Sequence, residues 1–265
     1  MRRLFYYLRI YRRLTSQYLK DRLSFQTDFL LGGLGMIMSN VSGFLALLVI
    51  FRTIPSLGGW DYYEMLFLYG FAGLAFAPTG IFFDKFWSLW GHLARGDFIN
   101  CYFKPLNTLF YFVSDVIDIK AFGHLAFNVF VTIFAAVNLR LEWTVIRVLC
   151  LVPLYLGAAF SYLGIRIIVS STAFWLTNNI SLMDFTLTLE RFARYPLTIF
   201  ARPFQVVFVY ILPYAFMAYI PVNDFLKSPG PSLSWFITPL VGAALFALGC
   251  LVWDRGVKHW TGTGT

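Results

Sequence analysis

Residues 29–51 read FLLGGLGMIMSNVSGFLALLVIF, without a single charge. A helix rises about 1.5 Å per residue, so a stretch of this length covers the roughly 30 Å hydrocarbon core of a bilayer. The stretch does not alternate apolar and polar residues, as a barrel strand would. In lipid every backbone N–H and C=O must be paired internally, which leaves helices and closed barrels. The rest of the chain agrees: 59% of its 265 residues are hydrophobic, 13% are charged, and the mean hydropathy is +0.69. Soluble domains carry about twice that share of charge.

Five further stretches follow the first, at 63–83, 112–137, 148–170, 204–219 and 235–253. The third carries Asp115, Asp118 and Lys120 near its start, the fourth carries Arg166, and the fifth is short and holds Pro213. The expectation is an all-α integral membrane protein with six transmembrane helices in a single domain, residues 1–265. No internal repeat, low-complexity tract or long linker divides it.

Orientation follows from lysine and arginine. With six spans, the side of the N-terminus collects Arg2, Arg3, Arg9, Arg12, Arg13, Lys20, Arg22, Lys85, Arg95, Lys104, Arg191, Arg194, Arg202, Arg255 and Lys258. The other side holds Arg52, Arg140, Arg147 and Lys227. That bias, roughly fifteen against four, predicts both termini in the cytoplasm and accounts for the net charge of +8. Basic residues spread over four segments of one membrane side do not suggest nucleic acid as a partner.

Residues 1–28 form no signal peptide, because the basic region is too long and the next apolar run exceeds a signal core. Leu4, Leu8, Tyr11 and Tyr18 fall on one helical face, with Arg2, Arg9, Arg13 and Lys20 opposite. Such a helix suits the inner membrane interface.

Catalytic and metal signals are absent from the sequence. Cys101, Cys150 and Cys250 are too scattered for a disulfide framework or a metal site, and His92, His124 and His259 lack ligand partners at useful spacing. There is no G-x-x-x-x-G-K-[ST], so this chain does not itself cradle ATP phosphates. An enzyme is not expected.

Small residues recur every three or four positions at Gly35, Ser39 and Gly43 in the first span and at Gly157, Ser161 and Gly164 in the fourth. Such stripes let helix backbones approach closely in lipid, within one subunit or between two. The loop at 83–107, FDKFWSLWGHLARGDFINCYFKPLN, holds Phe86, Trp87, Trp90, Phe98, Tyr102 and Phe103. These are too many aromatics to leave in water, and they are expected to meet lipid headgroups or another protein. A second aromatic and basic loop, ERFARYPLTIFARP at 190–203, is expected on the same side.

Three segments carry a family likeness: Arg95-Gly96-Asp97-Phe98 followed by Lys104-Pro105-Leu106; Arg194-Tyr195-Pro196-Leu197 with Ile199-Phe200; and Leu212-Pro213-Tyr214-Ala215-Phe216 leading to Tyr219-Ile220-Pro221. In this order the sequence resembles the membrane subunits of type-2 ATP-binding-cassette exporters, in the branch of small six-span permeases encoded beside a separate ATPase. The tail Lys258–Thr265 departs from any diagnostic pattern.

The resemblance implies a complex of two permease subunits, identical or related, with two copies of an ATPase subunit. ATP and Mg would then sit on the partner, and this chain would hold no cofactor. The setting would be the inner (plasma) membrane of a bacterium. Arg95, Gly96, Asp97, Phe98, Tyr102, Lys104 and Pro105 would couple to the ATPase, and Arg191, Arg194, Tyr195 and Pro196 would belong to a second cytoplasmic loop. The alternatives are a transporter driven by an ion gradient, which would need intramembrane ionisable groups such as Asp115, Asp118, Lys120 or Arg166, and a non-transporting scaffold or immunity protein.

Overall fold

A computed structural model of the chain describes residues 2–23, 26–141, 143–176, 178–228 and 233–260. Among these the fold is helical, with one isolated β-bridge between Leu57 and Trp60. Helices α1 (Arg2–Leu23), α2 (Gln26–Thr53) and α3 (Tyr62–Phe82) come first, then the short α4 (Leu89–Ala94), α5 (Ile99–Tyr102) and α6 (Thr108–Ser114). Next come α7 (Lys120–Asn138), α8 (Val145–Ser171), α9 (Ile180–Phe192), α10 (Arg202–Val206), α11 (Tyr219–Lys227) and α12 (Ser234–His259). Five helices among the described residues are long and apolar enough to cross a membrane: Leu31–Thr53, Tyr62–Phe82, Lys120–Asn138, Val145–Phe174 and Trp235–His259.

Local chemistry sets the boundaries. Asp61 and Glu64 form a reciprocal capping box at the start of α3: the Asp61 carboxylate accepts from the Glu64 N–H at 2.8 Å, and the Glu64 carboxylate accepts from the Asp61 N–H at 3.0 Å. The turn before it uses Gly58 and Gly59 at φ +58° and +83°, a region open to glycine at little cost. Asn107 and Thr144 cap α6 and α8 through their side-chain oxygens.

The tightest helix contact joins α8 to α12. A Cβ placed on Gly157 would lie 2.6 Å from the backbone nitrogen of Pro239, and one on Gly249 would lie 2.9 Å from the Gly164 carbonyl oxygen. Gly242 packs on Gly157 in the same way. Only glycine lets the two backbones come so near, and dispersion across that seam replaces a hydrophobic force that lipid does not supply. In α3, Gly70 and Gly73 likewise admit Thr132 and Asn128 of α7.

The fifth expected span, 204–219, is not a continuous helix. Residues 202–211 make α10 and a π-helical turn, the backbone leaves the helical region at Leu212 (φ −119°, ψ 90°), and a 3-10 turn, Tyr214–Met217, follows. Pro213 is the cause: it has no N–H to donate and pushes the residue before it out of helical geometry. The 16 residues of 204–219 would in any case span only about 24 Å as a helix. Instead the chain changes ends along α9. At one end the Asn179 side chain donates to the carbonyls of Val169 and Ser170 at 3.2 and 3.1 Å. At the other, the Thr198 hydroxyl donates to the Gly58 carbonyl at 2.8 Å. Residues 202–227 then leave and return at that same end, where Lys227 Nζ donates to the Gly59 carbonyl at 3.0 Å.

This moves Arg191, Arg194 and Arg202 away from the end that holds the termini, contrary to the expected second cytoplasmic loop. The balance then falls from roughly fifteen against four to roughly twelve against seven, a weaker bias of the same sign. The third span also starts later than expected. The chain breaks between α6 and α7, so Asp115 and Asp118 lie in the break and Lys120 opens α7.

At the end with the termini, α4, α5 and α6 close the bundle around an aromatic core of Phe86, Phe98, Phe112, Phe174 and Trp253. Neighbouring ring centroids there lie 5.3–6.1 Å apart. The expectation that the loop's aromatics reach outward is corrected for Phe86 and Phe98, which are buried; Tyr102 and Phe103 are exposed. Helix α1 lies on α6, with Tyr7 edge-on to Phe110 and the Thr15 hydroxyl donating to the Ser114 carbonyl. Its packed face runs through Tyr7, Tyr11 and Thr15, whereas Leu8 is exposed; the side chains of Arg2 and Leu4 lie outside the described residues.

Candidate functional site

Two charged side chains that the sequence leaves isolated meet inside the bundle. Arg166 is on α8 and Glu190 on α9, and both are buried. Arg166 Nη2 donates to both carboxylate oxygens of Glu190 at 3.0 Å. An ionised group in an apolar span is retained when a partner cancels its charge. The guanidinium also lies over the Trp87 ring, 4.7 Å from its centroid, and its Nη1 has no hydrogen-bond partner among the described residues. Trp87 belongs to the 3-10 turn Asp84–Ser88, between α3 and α4, and the Phe86 carbonyl accepts from the Ser170 hydroxyl at 3.0 Å. The 3-10 turn before α4, α8 and α9 are thus joined through Trp87, Arg166 and Glu190.

Glu190 also lines a cleft of about 440 Å³ between α9 and the helices α2, α3 and α8. Small residues Ser39 and Gly43 of α2 leave room on one wall. Tyr69 and Phe76 of α3 and Tyr162 of α8 form the back, and Leu187, Arg191, Arg194 and Tyr195 come from α9 and the turn after it. The volume is that of a small-molecule site. The Tyr69 hydroxyl donates to the Asn40 carbonyl at 3.3 Å, and the Arg194 guanidinium lies over the Tyr69 ring, 5.5 Å from its centroid. Neither Arg191 nor Arg194 has a carboxylate within ion-pair distance among the described residues.

The other charged candidates are spent on packing at the end with the termini. Lys85 pairs with both oxygens of Asp115 at 2.5 and 2.6 Å, and Asp118 accepts from the Lys120 backbone N–H at 3.0 Å. The Lys120 stem lies against Gly32. His124 is buried edge-on to Phe76, 5.8 Å between centroids. No group of three or more His, Cys, Asp or Glu among the described residues converges on a metal position.

Of the segment expected to meet a partner, Arg95 bonds Asp97 at 3.0 Å, Gly96 takes φ +77° between α4 and α5, and Phe98 is fully buried. Tyr102, Phe103 and Lys104 face outward. In the second segment Pro196 is buried and turns the chain after α9, where Arg194 and Tyr195 line the cleft. The expected stripe on α2 divides: Gly43 packs on the Tyr69 hydroxyl, Ser39 lines the cleft, and Gly35 faces open space. On α8, Gly157 and Gly164 face α12, and the Ser161 hydroxyl bonds the Gly157 carbonyl at 2.9 Å. Sequence reasoning missed the pairing of Arg166 with Glu190. The available signal was that Arg166 is an ionised residue inside an apolar run, and so in need of a partner.

Comparison with family models matches residues 37–264 to the ABC-2 family transporter protein model. No curated protein and no solved structure matches the chain. With most of its length matched, and with its helices long and apolar enough to cross a membrane, the chain belongs to the ABC-2 transporter family and is a membrane permease component of an ABC transporter.

Proposed function

We propose that this chain is one permease half of an ATP-driven exporter, that it forms the substrate pathway with a second permease, identical or related, and that two copies of a separate ATPase power it. Both termini would be cytoplasmic, in the inner (plasma) membrane of a bacterium, and ATP and Mg would be bound by the ATPase. The observation that carries the reading is the continuity from the inner helices to the cleft. Trp87 stacks on Arg166, and Arg166 holds Glu190 on the cleft wall. Motion imposed on α4 and α5 by a docked ATPase would reach α9 through that chain of contacts. The exposed Tyr102, Phe103 and Lys104 would make the docking face, and Arg95, Gly96, Asp97, Phe98 and Pro105 would hold it in shape.

Helix α2 exposes Leu34, Met38, Leu45 and Val49 along its length, and α9 exposes Phe185 and Phe192 beside the cleft. Those faces suit contact with a second permease and with lipid. A gradient-driven carrier is less well supported, because Asp115 and Asp118 are engaged in local pairs outside the long helices.

The test is co-expression with the ATPase encoded beside the permease. Purified complex should contain two ATPase subunits and two permease subunits, and hydrolysis should change when the permease is present. A permease that purifies without any ATPase, and leaves its hydrolysis unaltered, would overturn the reading.

A further inference from the structure

We infer that the cleft between α9 and α2, α3 and α8 receives the anionic head group, a phosphate or carboxylate, of an amphiphile. The inference rests on the permease reading and assigns that pathway a substrate class.

Charge comes first. Three ionised side chains border the cleft: Glu190, Arg191 and Arg194. Glu190 is neutralised from behind by Arg166, which pairs with no other carboxylate among the described residues. Asp184 sits on an exposed part of α9 and does not line the cleft. The cleft therefore presents the unbalanced positive charge of two arginines. Against the apolar walls of the cleft such charge invites an anion, because the Coulomb term is less screened there than in open water.

Donor geometry comes second. Guanidinium forks bind phosphate and carboxylate oxygens in pairs. Arg194 is held over the Tyr69 ring, so it meets a ligand with less further loss of side-chain freedom than a free arginine would. Tyr162 and Tyr195 also line the cleft.

The apolar part comes third. Phe76 and Leu187 supply apolar lining, and α2 and α9 expose apolar side chains beside it. A free, fully hydrated anion would gain nothing from those walls, whereas an alkyl chain would bury its apolar surface against them.

Native mass spectrometry of the detergent-purified protein tests this with three probes: dodecyl phosphate, inorganic phosphate and dodecyltrimethylammonium. Dodecyl phosphate is expected to bind with one dominant stoichiometry. R194Q should weaken it about tenfold, and the R191Q/R194Q pair should abolish it. R13Q on α1, remote from the cleft, should leave it unchanged, and thermal unfolding should show that all variants remain folded. Equal binding of the cationic probe, or undiminished binding by the double variant, would overturn the inference. Inorganic phosphate binding as tightly as dodecyl phosphate would overturn its amphiphile half. No ATPase enters this experiment, so arginine-dependent binding by a chain that never engages an ATPase would defeat the permease reading and leave the site standing.

Discussion

Arg166 and Glu190, 24 residues apart in sequence, form a pair in which one guanidinium nitrogen serves both carboxylate oxygens at 3.0 Å. The pair ties α9 to α8, and the hydrogen bonds of Asn179 tie the turn that precedes α9. Removing one partner leaves a buried charge uncompensated, at about 3–5 kcal/mol, whereas replacing both with apolar residues of similar size costs far less. Arg166→Met and Glu190→Leu should each lower the unfolding temperature in detergent by several degrees. The double variant should recover most of the loss. A double variant as unstable as the sum of the singles would mean that the residues act independently.

The glycine seam gives a second prediction with an internal control. Gly157→Leu and Gly164→Leu drive a side chain into the backbone of α12 and should prevent recovery of folded protein. Gly35→Leu meets no neighbour in the chain and should fold normally. If α2 pairs with a second permease, Gly35→Leu should still reduce the dimer fraction in size-exclusion chromatography. Recovery of folded Gly164→Leu would contradict the packing of α8 on α12.

Much of this architecture was legible in the sequence, and the exceptions have physical causes. The long helices of 29–51, 63–83, 148–170 and 235–253 declare themselves because each is uninterrupted, or nearly so, for the length of a bilayer. Helix α9 does not. Asp184, Glu190 and Arg191 lower its hydropathy, and the neutralising partner of Glu190 is on another helix, where a linear scan has no access to it. The run 204–219 has the opposite property: its residues are apolar, but Pro213 forbids one continuous helix. The aromatics of 83–107 misled for a related reason. A sequence shows that Phe98 is too apolar for water but not that Trp253 and Phe174 wait on its own chain. The cleft itself gathers residues of four helices; Ser39 and Gly43 stood out only as a packing stripe and 190–195 only as part of a loop, and nothing in the sequence joins the two.

The aromatic core separates folding from docking. Phe98 is fully buried while Phe103 is 75% exposed. Phe98→Ala should destabilise by about 3–5 kcal/mol through the cavity it leaves. Phe103→Asp should unfold like the wild-type protein yet bind the ATPase at least tenfold more weakly in a pull-down titration. Wild-type affinity of Phe103→Asp would move the docking face elsewhere.

The Lys85–Asp115 pair joins the 3-10 turn after α3 to the end of α6. Asp115 is partly exposed, so solvent screening holds its contribution to about 1 kcal/mol or less. Asp115→Asn should therefore lower the unfolding temperature slightly and leave ATP-driven transport insensitive to a proton uncoupler, as in the wild type. Loss of transport with intact ATP hydrolysis would give Asp115 a direct part in translocation.

If the cleft is the proposed pathway, its access is set by the ATPase. Leu187 lines it and lies one helical turn from Arg191. With Cys101, Cys150 and Cys250 replaced, a single cysteine introduced as Leu187→Cys reports access to a membrane-impermeant thiol reagent. In the reconstituted complex its labelling rate should change at least fivefold between the nucleotide-free ATPase and the ATPase locked with a non-hydrolysable ATP analogue. The same rate in both states, with the analogue shown to be bound, would contradict the account.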